Sequence, residues 1–370
     1  LLAVYVSGHG YGHATRTAEV LRAVRGRAPD LPIRVATSAP PMLFEGEVRP
    51  PLVVRRLECD VGLVQKDALA IDAAGTADRW RSFRAGWDRL VAGEARRLRE
   101  EGAVAVLGDI PPLTGVVAAE AGLPSLALGN FSWDWIYAHL GRSEPALLEA
   151  AAFCREAYGR VDLLLRLPFA GDLGAFPRVE DVPLVARRPR MSRTEARHLL
   201  GLDDSPAVLL SFGGLGVGSF AAGAFGGVSG WQLLLTGPTA EAPASPNLRR
   251  LGAADLDARG LGYPDLVGAV DVVVTKPGYG IVSDCIAAGT RLVYTDRGDF
   301  PEYPILVAGM AEHLPVAFVS NDDVRAGRIR EAVEAVLARE VPPPPDLAGA
   351  ERAAARILDV AGEGREARRP

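Results

Sequence analysis

The chain has 370 residues, 48% hydrophobic and 24% charged, with a formal net charge of −5. That length exceeds one ordinary core and suits two domains of about 150 to 200 residues each, and the composition excludes a disordered or fibrous protein. The acidic balance gives no footing for nucleic acid or an anionic membrane as a partner, although glycine loops can still bind a phosphate-bearing small molecule.

The opening apolar run, residues 1–6, has no basic leader and reads as a first strand, not a signal peptide. It feeds the loop SGHGYGHATRT (7–17), where Gly8, Gly10 and Gly12 alternate with His9, Tyr11 and His13. Further strands are expected at 33–37, 104–107, 125–128 and 163–167, then at 207–211, 231–235, 271–274, 291–295 and 316–319. Continuous apolar strands separated by helical segments imply parallel sheets covered on both faces. The pattern restarts near 207, after the linker VPLVARRPRMSR (182–193). Two doubly wound α/β domains facing each other across a cleft are therefore expected, one over 1–181 and one over 182–345. The proline run 342–345 then leads to a last helix in 346–370, expected to pack back toward the first domain.

No stretch approaches the apolar length of a membrane span. Cys59, Cys154 and Cys285 are too few and too scattered for a disulfide frame or a zinc knuckle. A cytoplasmic protein without stable membrane insertion is expected, and the sequence is silent on its oligomeric state.

Strand, glycine loop and helix in series make a cradle for phosphate or sugar. His13 falls at the helix start, where the dipole disfavours imidazolium and suits a neutral base; it also suits a residue that caps the turn. His9 shares the loop and the same two readings. Asp109, in VLGDIPPL, falls just past a strand of the same sheet. It can orient the His13 ring or cap the helix that follows.

The second half carries its own glycine sites. SFGGLGVGS offers Gly213 and Gly214 after a strand, without the lysine of a P-loop. In VVVTKPGYGIVSDCIAAG a strand runs into Lys276, Gly278, Tyr279 and Gly280, with a helix expected from about residue 281. Asp284, one turn in, suits a ribose diol, or is simply a favourable charge near a helix start. Glu302, on the loop DRGDFPEY, reads either as a contact to sugar hydroxyls or as a solvated acid. Trp133 and Asp134, in NFSWDWIY, belong either to a core satellite or to the wall of a sugar site. No His/Cys/Asp cluster has metal-ligand spacing, and no Asp-x-Asp is placed to hold a divalent ion against a diphosphate.

GHGYGHATR, VGLVQKDALAID, NFSWDWIY, VPLVARRPR and KPGYGIVSDCIAAGTRLVYTDRGDFPEYPIL together resemble the N-terminal region of plant-type L-arabinokinases, without the kinase domain. That region is in turn similar to nucleotide-sugar glycosyltransferases of the GT-B fold, which have two Rossmann-like domains. The resemblance implies His13 as catalytic base and Asp109 as its partner. It also implies the helix of Gly278, Tyr279 and Gly280 with Asp284, and the loop of Glu302, as donor-binding, to which the glycine loops themselves add Gly10, Gly12, Gly213, Gly214 and Lys276. Glu302 stands where glutamine is usual, which leaves the sugar open. GYGHATR also resembles a loop of nucleotide-sugar hydrolases, which gives Arg16 a role beside His9, Trp133 and Asp134 on the acceptor side. The expectation is a metal-independent transferase without a cofactor, using an NDP-sugar such as a UDP-sugar and a small hydroxyl acceptor. An NDP-sugar hydrolase and a catalytically silent nucleotide-sugar-binding module are the alternatives.

Overall fold

The computed structural model describes residues 1–65, 71–212, 224–225, 228–237 and 248–366. The chain divides into two compact units, the first made of Leu1–Val64, Asp72–Val185 and Asp346–Pro370, the second of Gln65–Ile71 and Ala186–Pro345.

The strands up to the end of the first sheet are β1 (Leu2–Val6), β2 (Ile33–Thr37), β3 (Leu52–Arg56), β4 (Val64–Gln65), β5 (Ile71–Asp72), β6 (Ala105–Asp109), β7 (Ser125–Gly129), β8 (Leu163–Arg166) and β9 (Val179–Asp181), of which β4 and β5 each straddle the division between the units. Seven of them form one parallel sheet in the order β3-β2-β1-β6-β7-β8-β9, while β4 and β5 pair only with each other. β1, β6 and β7 are buried along their whole length, which is why they read as unbroken apolar runs. The second unit adds β10 (Ala207–Ser211), β11 (Gln232–Thr236), β12 (Leu248–Arg250), β13 (Val272–Thr275), β14 (Arg291–Tyr294) and β15 (Val316–Phe318). They form a second parallel sheet in the order β12-β11-β10-β13-β14-β15.

Both orders reverse direction once, between β1 and β6 and between β10 and β13. Chains leaving adjacent strands there go to opposite faces, which opens a crevice at the carboxyl edge. β1 and β13, one strand from each switch point, thus present the loops that follow them, 7–10 and 276–278, at the carboxyl edge.

The chain passes between units at Val185–Ala186, slightly beyond the expected 181/182. The last helix, Gly349–Glu366, belongs to the first unit, where it packs on the helix Tyr11–Arg27. The terminal segment EGREARRP reads as a frayed tail in the sequence, yet that helix continues through Glu366.

The route from the helix Tyr11–Arg27 into β2 and β3 is tied by one side chain. Arg25 is 3% exposed and donates to five backbone carbonyls: Arg49 at 2.9 Å, Ala28 at 3.2 Å, Pro29 at 2.6 Å, Leu31 at 2.8 Å and Pro51 at 2.8 Å. Removing it leaves several buried acceptors without donors. Arg25→Met is expected to lower unfolding free energy by roughly 2 to 4 kcal/mol. Urea denaturation measures this, and an unchanged midpoint would contradict it.

Candidate active site

The helix Tyr11–Arg27 begins earlier than the start near residue 14 that the sequence suggests, with Gly10 as its N-cap at φ 76° and ψ 176°, a conformation that glycine adopts without strain. Gly8 is required for a different reason: a Cβ there would lie 1.8 Å from Ser38 Oγ. His13 therefore sits in the first turn, and His13, Arg16 and Thr17 fall at i, i+3 and i+4 on one face of the helix. That face meets Asp109, the last residue of β6, which lies directly across the sheet from Val6.

Asp109 is fully buried and collects four donors. Arg16 Nε reaches Oδ2 at 2.7 Å and Arg16 Nη2 reaches Oδ1 at 2.6 Å. Thr17 Oγ1 donates to Oδ2 at 2.7 Å, and His13 Nδ1 lies 2.8 Å from Oδ1. Arg16 Nη1 also donates to Asn130 Oδ1 at 2.8 Å. Burial pushes the Asp109 carboxyl up, but the Arg16 charge and the hydrogen bonds from Arg16 and His13 outweigh it and hold its pKa at about 2.

This assigns the His13 tautomer. A carboxylate ionised at all working pH values has no proton to give, so a 2.8 Å contact requires the hydrogen on Nδ1. Arg16 Nη2 lies 3.1 Å from the same nitrogen and donates to Asp109 Oδ1 at the shorter distance of 2.6 Å. The lone pair is left on Nε2, which makes no hydrogen bond among the described residues. His13 itself is 6% exposed, and Asp134 Oδ1 is the single sealed, unpartnered side-chain polar atom among those residues. The pair expected from the sequence, His13 and Asp109, is thus brought together. Thr17 and Asn130 were not expected, although the 13/16/17 spacing on one helix face was a usable signal.

Other acceptor-side residues are placed differently from expectation. Arg16 is 4% exposed and committed to Asp109 and Asn130, so it positions that carboxylate instead of facing a ligand. Trp133 has no exposed surface and donates Nε1 to Asp60 at 2.8 Å, so it is core and not a sugar wall. Asp134 is buried and paired with Arg155 at 3.3 Å. His9 is half-buried, edge-on to Trp133 at 5.3 Å, and accepts the Leu63 N–H through Nδ1 at 3.3 Å.

In the second unit, Gly278 caps the helix Tyr279–Ala288, which opens two residues earlier than expected. Gly280 thereby lies inside the helix, Tyr279 is buried and Lys276 is half-buried just before the cap. Asp284 consequently lies in the second turn, beyond the free N–H groups. It is 1% exposed and paired with Arg187, whose Nη2, Nε (3.3 Å) and backbone N–H (3.3 Å) all donate to it. The carboxylate is therefore not open in the way a bare ribose acceptor would be. Arg187 also lies 5.6 Å from the Tyr263 ring centroid. Tyr263 shares a 2.7 Å hydrogen bond with Ser211 at the end of β10, and Thr236 at the end of β11 donates to Ser211 at 2.9 Å.

Glu302 is not on a loop but opens the helix Glu302–His313; it is 2% exposed and accepts from Arg297 Nη1 at 2.6 Å. Gly213 and Gly214 lie outside the described residues. Among the described residues, no group of three or more His, Cys, Asp or Glu side chains is arranged to hold a metal ion, and no helix is long and apolar enough to cross a membrane. The chain does contain one Asp-x-Asp, Asp255 and Asp257, in the short helix Ala253–Asp257, where Asp255 accepts the Gly252 N–H at 2.7 Å as a cap.

Two Rossmann-like units of parallel sheet in series define the GT-B fold, and the solved structures similar to this chain have it. The calicheamicin glycosyltransferase matches with a TM-score of 0.59 at 17% identity, covering 99% of this chain and 96% of that one. A UDP-glucosyltransferase from Polygonum tinctorium, capable of glucosylating indoxyl, matches with a TM-score of 0.61 at 13% identity, covering 98% and 94%. In sequence, the chain is similar to a region of L-arabinokinase from Arabidopsis thaliana, 34% identical over 313 residues that make up 83% of this chain. The chain spans only 29% of that relative's length. No family model matches.

The buried Asp109–Arg16–His13 group predicts a pH-dependent contribution to stability. A carboxyl whose pKa falls on folding adds stability above its unfolded value, which is lost as pH falls from about 4 through about 2. Asp109→Asn leaves Arg16 buried without its counter-charge and is expected to cost roughly 3 to 5 kcal/mol at pH 7. Denaturant melts of both proteins from pH 7 to pH 2 should show the gap narrowing below pH 4. A gap independent of pH would contradict the assignment.

Proposed function

We propose that this chain transfers a sugar from a nucleoside-diphosphate sugar to the hydroxyl of a small acceptor, with His13 as general base and no need for a divalent metal. The observation that carries this reading is the Nε2 of His13, without a partner among the described residues and held as a proton acceptor by the Asp109 contact at 2.8 Å. Its setting at the β1/β6 switch point of a glycosyltransferase-like fold supports it.

In this reading Nε2 takes the acceptor's hydroxyl proton. The acceptor oxygen bonds to the anomeric carbon, and the electron pair of the breaking bond leaves with the diphosphate. The second unit supplies the donor site: the N–H groups behind Gly278 for the leaving charge, with Lys276 just before them. Arg187 and Arg297 hold the carboxylates of Asp284 and Glu302, so sugar or ribose hydroxyls engage those acids by sharing them with the guanidinium groups. With water as acceptor, the same steps give hydrolysis.

A second reading is favoured by those two ion pairs, which leave neither donor-side acid unpaired: a nucleotide-sugar-binding module without turnover, such as a part of a larger sugar-metabolising protein. The similarity to a region of an arabinokinase supports it as well.

His13→Ala is expected to lower turnover of the best NDP-sugar about 100- to 10,000-fold while leaving nucleoside-diphosphate affinity unchanged by calorimetry. Addition of EDTA should alter neither quantity. Full activity in His13→Ala removes the proposed base. Equal sugar release with and without acceptor makes the protein a hydrolase, and tight binding without turnover favours the silent module.

A further inference from the structure

Asp60 belongs to no strand or helix, yet it is only 6% exposed. Its Oδ1 accepts from Ser7 Oγ at 3.2 Å and its Oδ2 from Trp133 Nε1 at 2.8 Å. Ser7 follows β1 directly, and its backbone N–H donates to the Asp109 carbonyl at 2.9 Å. The Trp133 ring lies 6.5 Å, centroid to centroid, from the ring of His13. Both oxygens of Asp60 are thus hydrogen-bonded, one of them to the Trp133 indole beside His13, and no arginine or lysine pairs with it among the described residues.

The charges around His13 give this acid a role. Asp109 is already matched by Arg16, with which it makes two short hydrogen bonds. A proton added to His13 therefore leaves one surplus positive charge in a buried group, and an uncompensated charge there is costly. Asp60 is a second buried carboxylate near enough for the His13 charge to favour its ionised form.

We propose that Asp60 is the counter-charge of His13, balancing the imidazolium that forms when Nε2 takes the acceptor proton. This rests on His13 acting as base. Asp60 acts through His13 and is a positioning residue. Burial lifts its pKa to about 6, against the hydrogen bonds from Ser7 and Trp133 and the charge of His13, which all favour the carboxylate. Other groups facing it are Glu58 and Cys59 on its own segment, Tyr137 on the helix Trp133–Leu140, and Cys154 and Tyr158 on the helix Ala146–Tyr158. Burial pushes both thiols and both phenols up, so they stay neutral near pH 7, and Glu58 adds only like charge. Of these groups, His13 alone gains a positive charge.

Asp60→Asn is the direct test, because an amide keeps both hydrogen bonds: its oxygen accepts from Trp133 and its nitrogen donates to Ser7. Turnover at pH 7.5 should fall about 10- to 100-fold, the size of one charge acting across several Å at an effective dielectric of about 20. The double variant with His13→Ala should be no slower than His13→Ala alone. In parallel, carbon NMR of the Asp60 carboxyl should show its titration midpoint moving to higher pH in His13→Ala. Full turnover in Asp60→Asn, or an unmoved midpoint, overturns the proposal. A moved midpoint in a protein that turns over no NDP-sugar overturns the transferase reading and leaves the charge pairing standing.

Discussion

The first unit is organised around one buried carboxylate. Asp109 ends β6 at the point where the strand order reverses, and it draws Arg16, Thr17 and His13 from a single helix face onto its two oxygens. Taking an anion fully out of water is costly unless it is matched and its lone pairs are filled; four donors, two of them from the Arg16 guanidinium, meet that condition. The same contacts fix the register of the helix Tyr11–Arg27 against the sheet and the direction of the His13 ring. Structure and candidate chemistry therefore depend on one ion, and the strain-free glycine turn before the helix allows the geometry.

Much of this was legible in the residues. Buried parallel strands must be apolar throughout, so ten strands stood out in the sequence as apolar runs, and strand ends at a switch point bring together residues far apart in sequence. That logic joined His13 to Asp109 across 96 positions. Three of the four edge strands were not legible, because β3 (LVVRR), β9 (VED) and β12 (LRR) are partly or wholly exposed and carry charge.

The partners of the charged groups were also hidden. Arg187 meets Asp284 across 97 positions and Asp60 meets Trp133 across 73; no periodicity announces a long side chain reaching out of a linker, or an acid folded under a loop. For the same reason Trp133 looked available to a ligand in the sequence, when its indole serves Asp60. The second unit shows a related pattern. Asp284 and Glu302 are each held by an arginine, so the proposed donor side is built as ion pairs and not as open carboxylates. Charge-assisted pairs of this kind set geometry firmly, and they make any hydroxyl recognition there a matter of shared acceptors.

The central claim is that Asp109 keeps the proton of the neutral His13 ring on Nδ1 and the lone pair on Nε2. Nitrogen NMR of selectively labelled histidine, assigned through His13→Ala, measures this directly by distinguishing the protonated ring nitrogen from the unprotonated one. The account predicts a proton on Nδ1 and an unprotonated Nε2 in the neutral ring, with that preference lost in Asp109→Asn. A neutral His13 carrying its proton on Nε2 in the intact protein would contradict it.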